Sequence, residues 1–415
     1  MKSRHLTFLA CLMLHQPAWA QAPAGFEQPA ALNAADILDP AWLRGPAHRV
    51  RDIVQTDGYI AHFEIDTDFG VFEAAGVPQL KTRVAEAEAI RKLVDTSKGD
   101  LFAEGLKRSI NQPIDAVKNI AKDPVNSIKR TPQTVGHFFS KVGASVERGV
   151  NKIKADGEAG RNPDVAGIGN AAKNVAGFDK AKLDTARQLG VDPYSDNPRL
   201  QQEMDKVTWA FFAGGLPLRI GAAVVSAGVA VAATNMVGIP EETYALTQAE
   251  LALRDRTSLA AMGIREQDIH DFQIQPNLST TRRHRIVRAL EALPGAGGRG
   301  RTILLANSCE STGHADFLVE ALTMLAQRQN SGAADYKELH VHGRLPAATT
   351  ATGTIEVPAP VDHVSWTEQV AGFAHRDDLG TVAKSLVHTG SLSNAAAAGF
   401  AAAGWRTVAV RHQDR

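Results

Sequence analysis

The chain has very little cysteine: two residues among 415, Cys11 and Cys309. Cys11 lies in a segment that we expect to be removed, so Cys309 remains alone and no disulfide can form within the mature chain. The zinc patterns C-x-x-C and H-E-x-x-H and the nucleophile motif G-x-S-x-G are absent as well. The sequence therefore offers neither a disulfide framework nor a recognisable zinc or serine-hydrolase motif.

An excess of charge of one sign is also lacking. Lysine plus arginine equals aspartate plus glutamate at 45 each, so no overall field attracts nucleic acid or a membrane. Aromatic residues, which stack on bases in single-stranded nucleic-acid sites, make up only 6% of the chain. We predict no nucleic-acid partner.

The first 20 residues contain the three parts of a secretory signal peptide in order. Lys2 and Arg4 belong to a basic start, residues 6–14 are apolar, and residues 18–20 form an A-x-A cleavage box. The apolar run is too short for a bilayer span, which needs about 20 residues. We predict cleavage after residue 20 and export to the periplasm or the cell envelope, with acylation at Cys11 as the alternative.

The first part of the mature chain changes character near residue 47. Residues 21–46 are rich in alanine and proline and are predicted to be a flexible lead-in. Residues 47–99 are predicted to form a small β-meander plus helix. Alternating apolar runs flank the dipeptide Asp57-Gly58, a strong hairpin signal, and Pro78 opens an amphipathic helix.

Residues 100–293 are predicted to be helical. Short basic amphipathic helices between 105 and 154 suit either an anionic membrane surface or the solvated faces of packed helices. Between 207 and 239 the only charge is Arg219, and small residues predominate. We predict an apolar hairpin over 207–239 that turns at residues 214–217, either buried between helices or in contact with a membrane.

Strands that alternate with helices predict an α/β domain over 294–415. Strands are predicted at 302–306, 338–342, 354–357, 361–366, 384–389 and 406–410, and helices at 315–328, 367–373 and 393–404. The predicted fold class is α+β overall, with the N-terminal β-meander plus helix, the helical middle with its Gly/Ala-rich apolar hairpin, and the C-terminal α/β domain.

Three stretches carry a resemblance to other proteins. They are KDPVNSIKRTPQTVG (122–136), LGVDPYSDNPRLQQEM (189–204) and AGGLP (213–217). They resemble recurring stretches in an uncharacterised family of exported bacterial envelope proteins. The resemblance covers most of the mature chain and implies export, but it implies no activity and no catalytic residue.

The loop GAGGRGRT (295–302) fits both the dinucleotide pattern G-x-G-x-x-G and a P-loop in which Arg301 replaces the lysine. Both motifs need a strand before the loop and a helix after it. Here the pattern predicts a helix before and a strand after. We therefore predict a connecting loop, with no nucleotide partner and no cofactor.

Cys309 and His314 are the candidate catalytic residues. Cys309 is predicted to follow a strand and to precede a helix, where the helix dipole stabilises a thiolate. His314 could then act as its base. The alternative is a small, partly buried residue at a turn between two elements.

His340 and His342 are the candidate metal ligands. They alternate on one predicted strand, so both imidazoles lie on the same face, and neutral imidazole suits zinc or copper. No third ligand follows from spacing, and a polar sheet face is the alternative.

Two functions remain open. The first is a non-enzymatic cell-envelope protein that contacts an anionic membrane surface or a protein partner through the helical middle region. The second is a periplasmic hydrolase or metal-binding enzyme with its site in the C-terminal domain, at strand ends near Cys309, His314 and His340.

Overall fold

The structure is a computed structural model that describes residues 25–109, 165–220 and 238–410. Its fold is α+β overall, with an N-terminal β-meander, helices between, and a C-terminal sheet domain, which confirms the predicted class. The predicted signal peptide, most of the basic helices, and residues 221–237 of the apolar hairpin lie outside the described residues.

The N-terminal sheet is antiparallel and has six strands. These are β1 (Ala31–Asn33), β2 (Arg44–Gly45), β3 (His48–Val50), β4 (Ile53–Thr56), β5 (Ala61–Thr67) and β6 (Gly70–Ala75), in the order β1-β4-β5-β3-β2 with β6 on β5. The predicted hairpin lies between β4 and β5, where Asp57 Oδ1 accepts the backbone N–H groups of Tyr59 and Ile60. Gly58 supplies the positive φ of +105° that this turn needs.

The predicted flexible lead-in differs from the structure. Within 31–45 the chain forms β1, two short helices, α1 (Ala34–Ile37) and α2 (Pro40–Leu43), and β2. Ala34, Leu38 and Trp42 are buried in the same core as β5. This segment is ordered because β1 pairs with β4 and because its apolar side chains cover one face of the sheet.

The predicted helical middle, residues 100–293, is helical in the parts that the structure describes. The helices are α3 (Val77–Thr96), α4 (Asp100–Ser109), α5 (Val165–Leu189), α6 (Pro198–Ala213), α7 (Glu241–Ala245), α8 (Gln248–Ala261), α9 (Glu266–Ile274) and α10 (Thr280–Glu291). Proline at the start of α3 has the predicted role. Thr247 caps α8 in a reciprocal capping box with Glu250.

Of the predicted apolar hairpin, the structure describes residues 207–220 and 238–239. Helix α6 ends at Ala213, and Gly214 and Gly215 form the predicted turn. A Cβ added at Gly214 would lie 2.6 Å from the Cα of Gly105, so these two glycines allow α4 to contact the end of α6. No helix within the described ranges is long and apolar enough to cross a bilayer.

The strand predicted for 302–306 is wrong, because residues 299–307 form a helix. It is α11 (Arg299–Asn307), followed by α12 (Thr312–Asn330). The periodicity of this short apolar run is compatible with a strand or a helix. The helix forms here because it buries Ile303 and Ala306 fully in one core with α9, α10 and α12. That core runs from Leu259 to Ala348, so the hydrophobic packing is continuous across the boundary predicted at 293/294.

The C-terminal sheet has five strands in mixed orientation. The strands are β7 (Tyr336–His342), β8 (Leu345–Thr350), β9 (Ile355–Ala359), β11 (Lys384–His388) and β13 (Trp405–Ala409), in the order β13-β11-β9-β8-β7. β11 is parallel to β9 and β13, whereas β8 is antiparallel to β7 and β9. Two small strands, β10 (His363–Val364) and β12 (Ser391–Leu392), pair separately, and α13 (Glu368–Ala374) and α14 (Asn394–Ala402) complete the domain.

Contacts between residues far apart in sequence join the N-terminal sheet to the C-terminal domain. The two carboxylate oxygens of Asp362 accept the backbone N–H groups of Ala61 at 2.9 Å and Val77 at 3.1 Å. Glu27 accepts the N–H of Trp366 at 2.6 Å. These bonds join the start of α3 to the segment that follows β9, and both of these segments line the candidate site.

Candidate functional site: a central cleft

A cavity of about 810 Å³ lies between the N-terminal sheet, the middle helices and the C-terminal sheet. We call it the central cleft. Its walls come from α3, the turn at residues 192–196, α10, the first two turns of α12, and the segment that follows β9. It therefore lies at the carboxyl end of a parallel strand, which is where open α/β sheets commonly bind ligands.

One side of the central cleft is apolar. It includes Ile60, Phe317, Val361, Val364, Phe373 and Phe400. The rings of Phe373 and Phe400 are 6.4 Å apart in an edge-to-face arrangement, and both pack with the core of α13, α14 and the sheet. This side offers a ligand a rigid hydrocarbon surface.

Another part of the lining, the polar side, carries an alternating row of charges, which we call the charge ladder: Glu86, Arg83, Asp196, Arg282 and Asp316. Arg83 contacts Glu86 and Asp196, each at 2.8 Å. Arg282 contacts Asp196 at 2.9 Å and holds Asp316 with two bonds of 2.6 and 3.0 Å. The ladder joins four segments that are distant in sequence, and it places donors and acceptors along the whole polar side.

Further hydrogen bonds hold the Glu86 end of the ladder and the neighbouring Asp192 in place. Glu86, only 1% exposed, also accepts the hydroxyl of Ser195 and the amide N–H of Asn197 at 2.8 Å. Next to it, Asp192 Oδ1 accepts the hydroxyl of Thr281 at 2.6 Å and the N–H of Tyr194 at 2.8 Å. The polar side is thus fixed in place before any ligand arrives.

The two aspartates of the ladder have pKa values shifted in opposite directions. Burial alone would raise the pKa of Asp196, but Arg83 and Arg282 lie on either side and lower it below its usual value. Burial raises the pKa of Asp316, which has Arg282 alone to offset it and faces Asp196. The carboxylate between two guanidinium groups is therefore the firmly ionised one.

Asp192 should make stability depend on pH. Burial raises the pKa of Asp192 to about 6, well above the usual value of an aspartate. A carboxyl group whose pKa is raised on folding contributes stability below its unfolded pKa, and that contribution is lost as pH rises through the folded pKa. We expect Asp192→Asn, whose Oδ1 can keep both hydrogen bonds, to gain about 2 kcal/mol relative to the wild type between pH 4.5 and pH 7. Urea unfolding at several pH values measures this difference.

The same substitution at the exposed Asp68 controls for the loss of a carboxylate, and its difference from the wild type should stay nearly constant over that range. A constant difference for Asp192→Asn as well would contradict the assignment.

Cys309 lies in the hydrophobic core and is 3% exposed. Burial raises the pKa of its thiol to about 11, so the thiol is protonated at neutral pH, and its sulfur lies 3.8 Å from the carbonyl of Leu305. This environment favours a packing role over a nucleophile.

His314, the other candidate catalytic residue, lines the central cleft at the start of α12. Its Nε2 lies 3.3 Å from the carbonyl oxygen of Arg344, and among the described residues its Nδ1 has no hydrogen-bond partner. It is therefore a polar group at the cleft wall whose Nδ1 is buried without a partner in the described residues.

His340 and His342 lie on β7 as predicted, with their ring centres 6.0 Å apart. His340 Nε2 lies 2.7 Å from the hydroxyl of Thr349, and His342 Nδ1 lies 3.4 Å from Asp378. Within the described parts of the chain, no group of three or more His, Cys, Asp or Glu residues could hold a metal ion. Within those parts of the chain, the two histidines therefore have no third metal ligand beside them.

The glycines of the loop at 295–302 have a packing explanation. Gly298 has a φ of +78°, and a Cβ added to it would lie 2.1 Å from the carbonyl oxygen of Leu339. Gly297 exchanges backbone hydrogen bonds with residues 337 and 339 of β7. A helix does follow the loop, contrary to the prediction, but a helix also precedes it, so the strand that phosphate-binding loops require is missing here.

The charge ladder has only weak signals in the sequence: a turn rich in Asp, Ser and Asn at 192–197 and several arginines on α10.

No protein-family model, no curated protein and no solved structure matches this chain.

Proposed function

We propose that this chain is a non-enzymatic binding protein of the cell envelope that holds a small amphipathic molecule in the central cleft. The observation that carries the proposal is a cavity whose lining combines aromatic and aliphatic side chains with a row of ion-paired polar side chains held by the fold. Its volume of about 810 Å³ falls within the range typical of small-molecule sites, roughly 300–1,000 Å³.

The residues around the central cleft support binding more than catalysis. The buried thiol of Cys309 with its raised pKa is a poor nucleophile, and the ladder arginines are held by carboxylates. A hydrolase needs a nucleophile beside a base within hydrogen-bond reach, and Cys309 and His314 have other partners. Binding needs only shape, apolar area and oriented polar groups, all of which are present.

Fluorescence of N-phenyl-1-naphthylamine, an uncharged apolar probe, tests the proposal. We expect the wild-type protein to enhance its emission saturably. Thr82 lines the central cleft on α3 and donates to the carbonyl of Pro78, so Thr82→Trp should place a large ring in the cavity. We expect this variant to bind the probe at least about tenfold more weakly, a loss of about 1.4 kcal/mol.

Thr96→Trp is the matched control. Thr96 is on the same helix and makes the same hydrogen bond one turn back, to the carbonyl of Lys92, but it lies outside the cavity. The Thr96→Trp variant should bind the probe with an affinity within about twofold of that of the wild type. Absence of saturable binding by the wild type, or equal weakening by both variants, would contradict the proposal.

Export and membrane contact remain part of the proposal on the strength of the sequence alone. The signal-peptide pattern and the basic amphipathic helices motivate them. N-terminal sequencing of protein from the periplasmic fraction should begin at residue 21. A cytosolic protein that begins at Met1 would overturn this part while leaving the cleft proposal intact.

A further inference from the structure

Resting on the proposed function, we propose that the central cleft takes an amphipathic molecule whose polar head is uncharged and rich in hydroxyl groups. The reason is the distribution of ion pairs. Every arginine that lines the cleft within the described residues contacts a carboxylate of the protein. Arg83 and Arg282 belong to the charge ladder, Arg285 contacts Glu320 at 2.8 Å, and the two arginines at the rim are paired as well.

A ligand anion would have to displace one of these carboxylates. Arg285 and Glu320 are 17% and 15% exposed, so their separation would leave a charge without its partner in a largely dehydrated place, which costs several kcal/mol. Asp192 illustrates the penalty. It has hydrogen bonds but no ion-pair partner among the described residues, and burial raises its pKa to about 6. A ligand carboxylate placed beside it would meet the same environment.

A ligand cation meets the complementary obstacle at the charge ladder, and Asp192, which has no guanidinium partner among the described residues, already accepts two hydrogen bonds from the protein. The carboxylates of the ladder already have guanidinium partners in direct contact, and Arg282 alone gives Asp316 two bonds. An ammonium group would have to compete with this arrangement, in which both charges are held by the fold.

A hydroxyl group avoids both obstacles because it donates and accepts. A paired guanidinium keeps N–H donors beyond those used in the pair, and a carboxylate keeps free lone pairs. Hydrogen bonds to charged groups are shorter and stronger than those between neutral groups. Ser195 and Thr281 add hydroxyl groups on the same side, while the phenylalanines of the apolar side suit a hydrocarbon chain.

Three amphiphiles with the same eight-carbon tail test the inference: octyl β-glucoside, octanoate and octylammonium, each used below its micelle concentration to displace N-phenyl-1-naphthylamine. We expect octyl β-glucoside to displace the probe at a concentration at least about tenfold lower than either charged compound. Equal or better displacement by octanoate or octylammonium would overturn the inference but leave the proposed function standing. Failure of the probe to bind at all would overturn the proposed function itself.

A charge-removing variant sharpens the test. Glu320→Gln should free Arg285 and reduce the preference for octyl β-glucoside over octanoate at least about tenfold, because an anion then finds an unpaired guanidinium. Glu310→Gln frees Arg344 at the exposed rim, where both partners are about two-thirds exposed. It should change the preference less than about threefold, since exposed ion pairs contribute little. If Glu320→Gln kept the wild-type preference for octyl β-glucoside over octanoate, the inference that paired arginines disfavour anions would be contradicted.

Discussion

Replacement of Glu86 by alanine is expected to lower the free energy of unfolding by about 3–5 kcal/mol. Glu86 is the buried end of the charge ladder, 1% exposed, and accepts hydrogen bonds from Arg83, Ser195 and Asn197. Alanine removes all three bonds at once and leaves a guanidinium and two polar groups without their acceptor, each at its full desolvation cost. Equilibrium denaturation of the purified variant measures the loss.

Glu104→Ala is the matched control for Glu86→Ala. Glu104 contacts Arg108 one turn further along α4, and both side chains are about half exposed, so the loss should be within about 0.5 kcal/mol. Glu86→Gln keeps the shape and should lose an intermediate amount. A loss below about 1 kcal/mol for Glu86→Ala would show that the ladder does not depend on this residue.

Arg328→Met should lower the free energy of unfolding by a similar amount, about 3–5 kcal/mol. Arg328, on α12, holds the 7% exposed Glu356 of β9 with two bonds of 3.0 and 2.9 Å, and the hydroxyl of Tyr336 donates to the same carboxylate at 2.6 Å. Burial and the adjacent carboxylate raise the pKa of Tyr336, so it stays a hydrogen-bond donor. Without Arg328, the buried Glu356 loses its counter-ion and two of its hydrogen bonds.

A double-mutant cycle separates the interaction energy between Arg328 and Glu356 from the cost of burying each charge. Glu356→Leu alone should also destabilise the protein, whereas the double variant Arg328→Met/Glu356→Leu should lose clearly less than the sum, because no unpaired charge remains. Additive losses, within about 0.5 kcal/mol, would contradict the coupling.

Much of the fold follows from local signals in the sequence. The Asp57-Gly58 hairpin, the cap at Thr247 and the alternation of strands and helices after residue 330 depend on residues close together, and the structure has each of them. Two parts do not follow. Residues 31–45 are ordered by pairing with β4 and by burial of Trp42. Residues 299–307 form the helix α11 because Ile303 packs in the core. Both depend on tertiary contacts that short-range patterns do not contain.

The candidate site follows from the sequence even less. His314 is found from the sequence and does line the central cleft, but the reason given for it, a reactive Cys309, fails because that thiol is buried. The charge ladder joins residues 83, 196, 282 and 316. Charged residues so far apart look like ordinary surface charges until the fold brings them together, so no spacing rule could find them.

Photo-crosslinking tests most directly whether the central cleft is the binding site. Mature protein would be irradiated with an eight-carbon alcohol that carries a diazirine, and the labelled peptides would be identified by mass spectrometry. We expect labels on residues of the cleft wall, in α3 and the segment that follows β9, and we expect Thr82→Trp to remove them while Thr96→Trp keeps them. Labels concentrated elsewhere on the chain, unchanged in Thr82→Trp, would contradict this account.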